Sequence, residues 1–176
     1  MISSYNLSFR AEQPSDRLGI RQIHQAAFGS NTEANIVGDL IERNCPRLSL
    51  VAVLDNQAIA HILFTPAIIE TRDRLIEGMG LAPLAVLPEF QRQGIGSHLT
   101  TLGLETLKNR GEAFVIVLGD PDFYSRFGFI AASSYGIISE FDNIPDEAFR
   151  IRIFNQELLN SILGVAKYQP EFSSAI

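Results

Sequence analysis

The sequence predicts a mixed α/β domain in which one sheet carries helices on its faces. The chain has 176 residues, the length of one ordinary domain with a sizeable core. Hydrophobic residues make up 46% and charged residues 19%, a globular composition. Segments of strand periodicity are interspersed with segments of helical spacing. We therefore expect a single domain over residues 1–176.

The N-terminal part predicts one strand and two helices. Leu7–Ala11 alternates apolar and polar residues, as a half-buried strand does. A helix is expected to start near Pro14 and to end at Gly29. Ser30–Glu33 has the capping-box pattern and predicts a second helix through about Arg43.

The next part predicts three strands. Leu48–Leu54 and Ala58–Glu70 are separated by a short polar turn, which is typical of an antiparallel hairpin. Arg72–Gly80 is charged and contains two glycines, so a loop is expected. Leu81–Leu87 is nearly all apolar, which predicts a central strand. Pro83 within it indicates a bulge or an unpaired edge.

The remaining elements follow the same reasoning. Ser97–Lys108 predicts a helix, Ala113–Leu118 a second buried strand, and Asp120–Phe127 a short helix with its aromatic rings on one side. Phe149–Phe154 predicts a late strand, and an extended segment follows it. That late strand could pair across a homodimer.

The loop between the two buried strands has the features of an anion cradle. Gln91, Arg92, Gly94 and Gly96 lie between a strand and a helix start, where glycine exposes backbone N–H groups and the helix dipole adds positive charge. No Walker lysine is present, and Leu99 occupies the third glycine position of a dinucleotide fingerprint. Taken alone, the pattern is more often only a tight turn.

A second motif gives the loop its context. Tyr124 and Gly128–Phe129 follow the next buried strand and match the pattern Y-x-x-x-G-F. The first motif consists of L-A-V, a proline two positions later, and then [RQ]-x-x-G-x-G, and it is matched by Leu84, Ala85, Val86, Pro88, Gln91, Arg92, Gln93, Gly94, Ile95 and Gly96. With both motifs, the chain resembles the GNAT superfamily of N-acetyltransferases over about residues 7–131. The tail Gly164–Phe172, within the C-terminal region 132–176, resembles that of a little-characterised bacterial group of predicted acetyltransferases.

The resemblance implies a fold and a cosubstrate. The fold is a central, mostly antiparallel sheet with splayed fourth and fifth strands and helices on both faces. Acetyl-CoA would be bound without a metal ion. Its pantetheine arm would pair with Leu84, Ala85 and Val86. Its pyrophosphate would lie on the N–H groups around Gln91, Arg92, Gln93, Gly94, Ile95, Gly96 and Ser97.

The resemblance also implies direct attack of an amine on the thioester. Tyr124 would be the general acid that protonates the departing thiolate, while the alternative is that it only packs with Phe123 and Phe127. Gly80 stands where many members of the family have a glutamate base. Glu77, Asp120 or bulk water could replace that base.

Four other residues have a structural and a functional interpretation. His61 is expected to be a hydrogen-bonded core histidine, and Cys45 a small apolar filler that is not needed as a nucleophile. Glu33 could face the substrate or only cap a helix. Arg126 could contact the cofactor or lie exposed.

Composition limits the partners. The net charge of −6 disfavours nucleic acid and anionic membranes. Residues 1–13 lack a signal-peptide pattern and Cys45 is a single cysteine, so a cytoplasmic protein is expected. The predicted function is acetyl transfer from acetyl-CoA to a primary amine of a small molecule or peptide. The alternative is a non-catalytic CoA-binding sensor or regulatory module. A nucleotide-binding module is disfavoured because this sequence has no acidic residue placed to bind a ribose.

Overall fold

The computed structural model describes residues 6–45, 47–159 and 163–175. It divides into two compact units. The first contains described residues up to 64 together with 83–103, and the second contains 65–82 and described residues of 104–174. The strands and the helix that cross these limits contribute residues to both units.

The first unit pairs three strands in antiparallel order. Its elements are β1 (Leu7–Ala11), α1 (Arg17–Phe28), α2 (Thr32–Glu42), β2 (Leu48–Leu54) and the beginning of β3 (Gln57–Thr71). β1 pairs with β2, and β2 pairs with β3 as far as Phe64, with an irregularity between Ala52 and Val53. The predicted hairpin is confirmed.

Helix α1 packs its apolar side against the sheet of this unit. Ile20, Ile23 and His24 are buried on that side. Ile23 packs with Ala58 and Ala85, which are small enough to let the helix approach closely. The helix ends at Gly29, whose φ of +68° a side chain would disfavour.

The start of α2 differs from the predicted capping box. The helix begins at Thr32, so Asn31 is the N-cap, and its side chain makes no capping hydrogen bond. Ser30 Oγ instead donates to Glu33 Oε2 at 3.0 Å and accepts from the Thr32 N–H at 3.3 Å. Ser30 therefore stabilises the first turn of the helix from the position before the N-cap.

The second unit contains both parallel and antiparallel pairs. Its elements are the rest of β3, the beginning of β4 (Leu75–Val86), the end of α3 (Ile95–Asn109), β5 (Phe114–Leu118), α4 (Pro121–Tyr124), β6 (Ile130–Ala131), β7 (Ile137–Ser139), β8 (Phe149–Ile153) and β9 (Gly164–Lys167). β4 and β5 are parallel, as are β7 and β9, while β5–β8, β6–β8 and β3–β9 are antiparallel. A mixed sheet with helices confirms the predicted fold class.

The predicted loop over Arg72–Gly80 is wrong. Strand β4 starts at Leu75, and only a turn closed by the Thr71 N–H and the Arg74 carbonyl separates it from β3. Gly78 lies inside this strand. A glycine is suited to that position because a Cβ there would be 2.7 Å from the ring of Phe114. The glycines that suggested a loop make room for aromatic rings.

Strand β8 has partners on both of its sides. All five of its residues pair with β5, and Arg150 and Ile151 also pair with β6. The late strand predicted near Phe149–Phe154 is confirmed, and β6 covers two of its five residues on the side away from β5.

Candidate functional site

The loop after β4 is held in shape by two glutamine side chains. The Leu87 N–H donates to the Ile59 carbonyl at 2.9 Å, and a short 3-10 turn over Pro88–Phe90 follows. Gln91 Nε2 donates to the Val86 carbonyl, and Gln93 Nε2 donates to the Glu89 carbonyl, both at 3.0 Å. These bonds fold the loop back on its own backbone.

Two residues of this loop have a left-handed backbone conformation just before helix α3. Arg92 has a φ of +59° and Gly94 a φ of +83°. The helix starts at Ile95, and the His98 N–H donates to the Gly94 carbonyl at 2.9 Å. The N–H groups of residues 95–97 precede that bond and have no acceptor within the helix. Left-handed turns beside a helix N-terminus form an anion-binding concavity.

Gly96 brings the loop next to the end of β4. A Cβ at Gly96 would lie 3.5 Å from Val86 Cγ2 and 3.8 Å from Leu84 Cδ2. Ala85 points to the opposite face, into the core. The Leu87 N–H is used on the β3 side, so by alternation the backbone groups of Leu84 and Val86 point to the other edge. The structure thus brings Leu84, Val86 and Gly96 together.

Tyr124 lies in the second unit at the end of α4. It is 8% exposed, and its ring makes edge contacts with Phe123 and Phe129 at 4.9 and 5.6 Å between centroids. A Cβ at Gly119 would come within 2.5 Å of this ring. Burial, and then the charge of Asp120, raises the pKa of Tyr124 above its usual value. Its hydroxyl is therefore a neutral donor at physiological pH.

The other predicted residues near Tyr124 have structural roles here. Asp120 accepts the Asp122 N–H at 2.9 Å and caps α4. Arg126 lies over the ring of Phe123 at 4.7 Å and over that of Phe127 at 5.5 Å. These contacts account for Arg126 without a cofactor.

Gly80, where the resemblance would place a glutamate base, is covered by an aromatic ring. A Cβ there would lie 2.5 Å from Cε1 and 2.6 Å from Cδ1 of Tyr168. Tyr168 is buried, and its role was missed because no local pattern connects it to Gly80. Glu77 lies inside β4, not before the strand as predicted, and is exposed.

His61 belongs to a chain of buried polar groups in the first unit. Its Nδ1 is 2.7 Å from His24 Nε2, and its Nε2 is 2.8 Å from Ser49 Oγ. Ser49 donates to Glu12, which also pairs with Arg17 at 3.7 Å. The predicted core histidine is confirmed, whereas its partners were not foreseen.

Cys45 is 4% exposed, in agreement with its prediction as a core filler. Within residues 6–45, 47–159 and 163–175, no group of three or more His, Cys, Asp or Glu side chains is placed to hold a metal ion. In the same described part of the chain, no helix has the length and apolar character needed to span a membrane.

Comparison with known proteins identifies the family. Residues 8–132 match the acetyltransferase (GNAT) domain family, and the chain belongs to that family. It is 34% identical over 165 residues to the uncharacterised N-acetyltransferase YhbS of Escherichia coli K12, covering 93% of this chain and 97% of that protein.

Two solved structures share the fold over nearly the whole chain. The crystal structure of E. coli YhbS in complex with CoA has a TM-score of 0.89 and 32% identity, covering 98% of this chain and 95% of that one. A GNAT family acetyltransferase from Brucella melitensis in complex with acetyl-CoA has a TM-score of 0.76 and 31% identity, covering 95% and 98%.

Proposed function

We propose that this protein is an N-acetyltransferase that moves the acetyl group of acetyl-CoA to a primary amine of a small molecule or peptide. The observation that carries this proposal is the loop in which Arg92 and Gly94 take left-handed conformations directly before the first turn of α3. That loop suits a pyrophosphate. The CoA and acetyl-CoA complexes of its relatives support the same cosubstrate here.

The predicted binding residues then divide into two groups. Leu84 and Val86 offer backbone groups to the pantetheine amides, while Ala85 anchors the strand in the core. The second group surrounds the pyrophosphate and consists of Gln91, Arg92, Gln93, Gly94, Ile95, Gly96 and Ser97. Gln91 and Gln93 act mainly by shaping the loop, because their side-chain amides already bond to backbone carbonyls.

The proposed reaction is a direct transfer. The neutral amine attacks the thioester carbonyl, a nitrogen–carbon bond forms, and the carbon–sulfur bond breaks. Tyr124 gives its proton to the departing sulfur, and water takes the proton that the nitrogen loses. Tyr124 then regains a proton from water. Its raised pKa keeps it in the acid form that this role requires.

A non-catalytic CoA-binding module is the second candidate, and Gly80 is the observation that favours it. The ring of Tyr168 fills the space beside this α-carbon, so strand β4 has no room for a carboxylate base there. An amine that is already partly neutral does not need a carboxylate base. Both candidates bind CoA, but only the acetyltransferase releases its thiol in the presence of an amine, so thiol release separates them.

The decisive experiment combines binding and turnover. Calorimetry should show binding of CoA and acetyl-CoA, and an amine panel with acetyl-CoA should release free thiol. Binding without thiol release for any amine would favour the non-catalytic module. Failure to bind either compound would overturn both candidates. A single domain over residues 1–176, a cytoplasmic location and a homodimer remain proposals of the same kind.

A further inference from the structure

The second unit holds a buried phenol that the proposed reaction leaves unused. Tyr168 is 9% exposed, and its hydroxyl has no hydrogen-bond partner in the described part of the chain. A buried hydroxyl without a partner is costly to a folded protein and calls for an explanation. A ligand group that completes its hydrogen bonding would provide one.

Tyr168 lies at the end of the parallel ladder between β4 and β5. Its ring covers Gly80, and Gly80 pairs with Ile116 one step before the final described pair of that ladder. The Leu118 backbone, just beyond the ladder, lowers the pKa of Tyr168, although by less than burial raises it. The Tyr168 ring thus lies where the pairing between β4 and β5 ends.

The position of the phenol is fixed by its surroundings. The Tyr168 N–H donates to Glu140 Oε1 at 2.7 Å, and the ring makes an edge contact with Phe172 at 5.5 Å. Gln169 Nε2 donates to the Pro66 carbonyl at 2.7 Å. Strand β9, directly before Tyr168, pairs with both β3 and β7. A group held this firmly can be aimed at a reacting atom.

The chemistry of this phenol limits what it can do. Burial, and then the neighbouring phenol of Tyr124, raises the pKa of Tyr168 above its usual value, so it stays protonated and cannot act as the base. It can donate a hydrogen bond to an acceptor. Tyr124, which is assigned to the thioester sulfur, is close enough to influence it electrostatically. The acceptor bonded to the same carbon as that sulfur is the carbonyl oxygen.

We propose that the Tyr168 hydroxyl donates a hydrogen bond to the thioester carbonyl oxygen of bound acetyl-CoA. This inference rests on the proposed function and adds a contact to the acyl group. The bond would strengthen as the carbonyl oxygen becomes negative during attack, as in other oxyanion sites. Free CoA has no such oxygen, so the contact belongs to acetyl-CoA alone.

Tyr168→Phe tests this with two known compounds and no acceptor amine. Calorimetry should show unchanged affinity for CoA, within about twofold, and a loss of about 5- to 10-fold for acetyl-CoA, as expected for one hydrogen bond. The carbonyl stretch of bound isotope-labelled acetyl-CoA should shift to higher frequency in the variant. The melting temperature should stay the same or rise, because the hydroxyl that is removed has no partner.

The matched control is Tyr135→Phe. The Tyr135 hydroxyl accepts from Gln156 Nε2 at 3.2 Å, so this variant loses a hydroxyl of known role, and it should bind both compounds normally. Equal losses for CoA and acetyl-CoA in Tyr168→Phe, or an unchanged carbonyl stretch, would overturn the inference while leaving the proposed function standing. If the unaltered protein bound neither compound, both proposals would fail.

Discussion

His24 and His61 face each other in the interior of the first unit, with His24 Nε2 2.7 Å from His61 Nδ1. Ser49 gives its proton to Glu12, so His61 Nε2 must donate to Ser49. A neutral His61 then accepts from His24 Nε2–H, and His24 Nδ1 has no partner among the described residues. Both rings are thus neutral, and every ring nitrogen of the pair except His24 Nδ1 has a hydrogen-bond partner.

This pair predicts acid sensitivity of the fold. Burial lowers the pKa of His24 from 6.5 to about 4, and it lowers the pKa of His61 well below its usual value, with His24 and Arg47 contributing. Below about pH 6.5 the unfolded chain binds protons that the folded chain does not, so the free energy of unfolding falls. His24 alone should account for about 3 kcal/mol between pH 6.5 and 4.

Urea unfolding at a series of pH values measures this loss. His24→Gln should reduce the dependence on pH, whatever it costs at neutral pH. His98→Gln, which alters an exposed histidine stacked on Phe9, is the control and should keep the full dependence. Stability that is flat between pH 7 and 5 would contradict the prediction.

Gly94 and Gly111 form a matched pair for testing the anion cradle. Both have a φ of +83°, and a Cβ at either would meet no atom within 4 Å. Replacement by alanine should therefore cost each the same backbone strain, about 1 kcal/mol. Only Gly94→Ala should also weaken CoA binding, about tenfold or more, because only Gly94 lies in the cradle. Equal CoA affinities, measured by calorimetry, would reduce the loop to a turn.

Gly96→Ala should separate binding from folding. An added Cβ would make ordinary contacts with Val86 and Leu84, so the change in melting temperature should be small. The bulk would fill the space expected for the diphosphate, and CoA affinity should fall more than stability does. Arg92→Ala should cost less affinity, since backbone groups provide most of the binding. A larger loss of CoA affinity in Arg92→Ala than in the Gly96 variant would show that the Arg92 side chain provides most of the binding.

Tyr124→Phe tests the general acid. The edge contacts with Phe123 and Phe129 would remain, so the melting temperature should change little. Turnover should fall by about 10²–10⁴-fold while CoA affinity is retained. Thiol-release kinetics and calorimetry measure the two effects. Turnover within about threefold of the unaltered protein, only about 0.65 kcal/mol of barrier, would remove Tyr124 from the mechanism.

Gly80→Ala tests the close contact with Tyr168. The new methyl group would lie 2.5 Å from the ring, so the ring must move, at a cost of about 1–3 kcal/mol. Gly38→Ala is the control, because its Cβ would meet nothing within 4 Å and a helical alanine should stabilise the protein slightly. Denaturant unfolding compares the two. A neutral Gly80→Ala would mean that the ring has room to shift.

How much of the fold and of the site could be predicted from the sequence depends on how many positions separate the interacting residues along the chain. The loop before α3 and the place of Tyr124 after β5 could be predicted because each depends on a short motif with a defined local conformation. The start of β4 was misplaced because Gly78 indicates a loop unless its partner, the ring of Phe114, is known. His24 and His61 are 37 residues apart, and no periodicity connects them.

The contact between Gly80 and Tyr168 also imposes an order on how the protein is completed during synthesis. The ribosome releases β4 long before Tyr168, so the space beside Gly80 stays empty in the growing chain. The second half of β3 likewise cannot pair with β9 until the end of the chain is made, since the ion pair between Glu70 and Lys167 joins residues 97 positions apart. Contacts of such long range form slowly. A nascent chain therefore has the loop of Gly94 and Gly96 outside the ribosome before the ring of Tyr168 can cover Gly80.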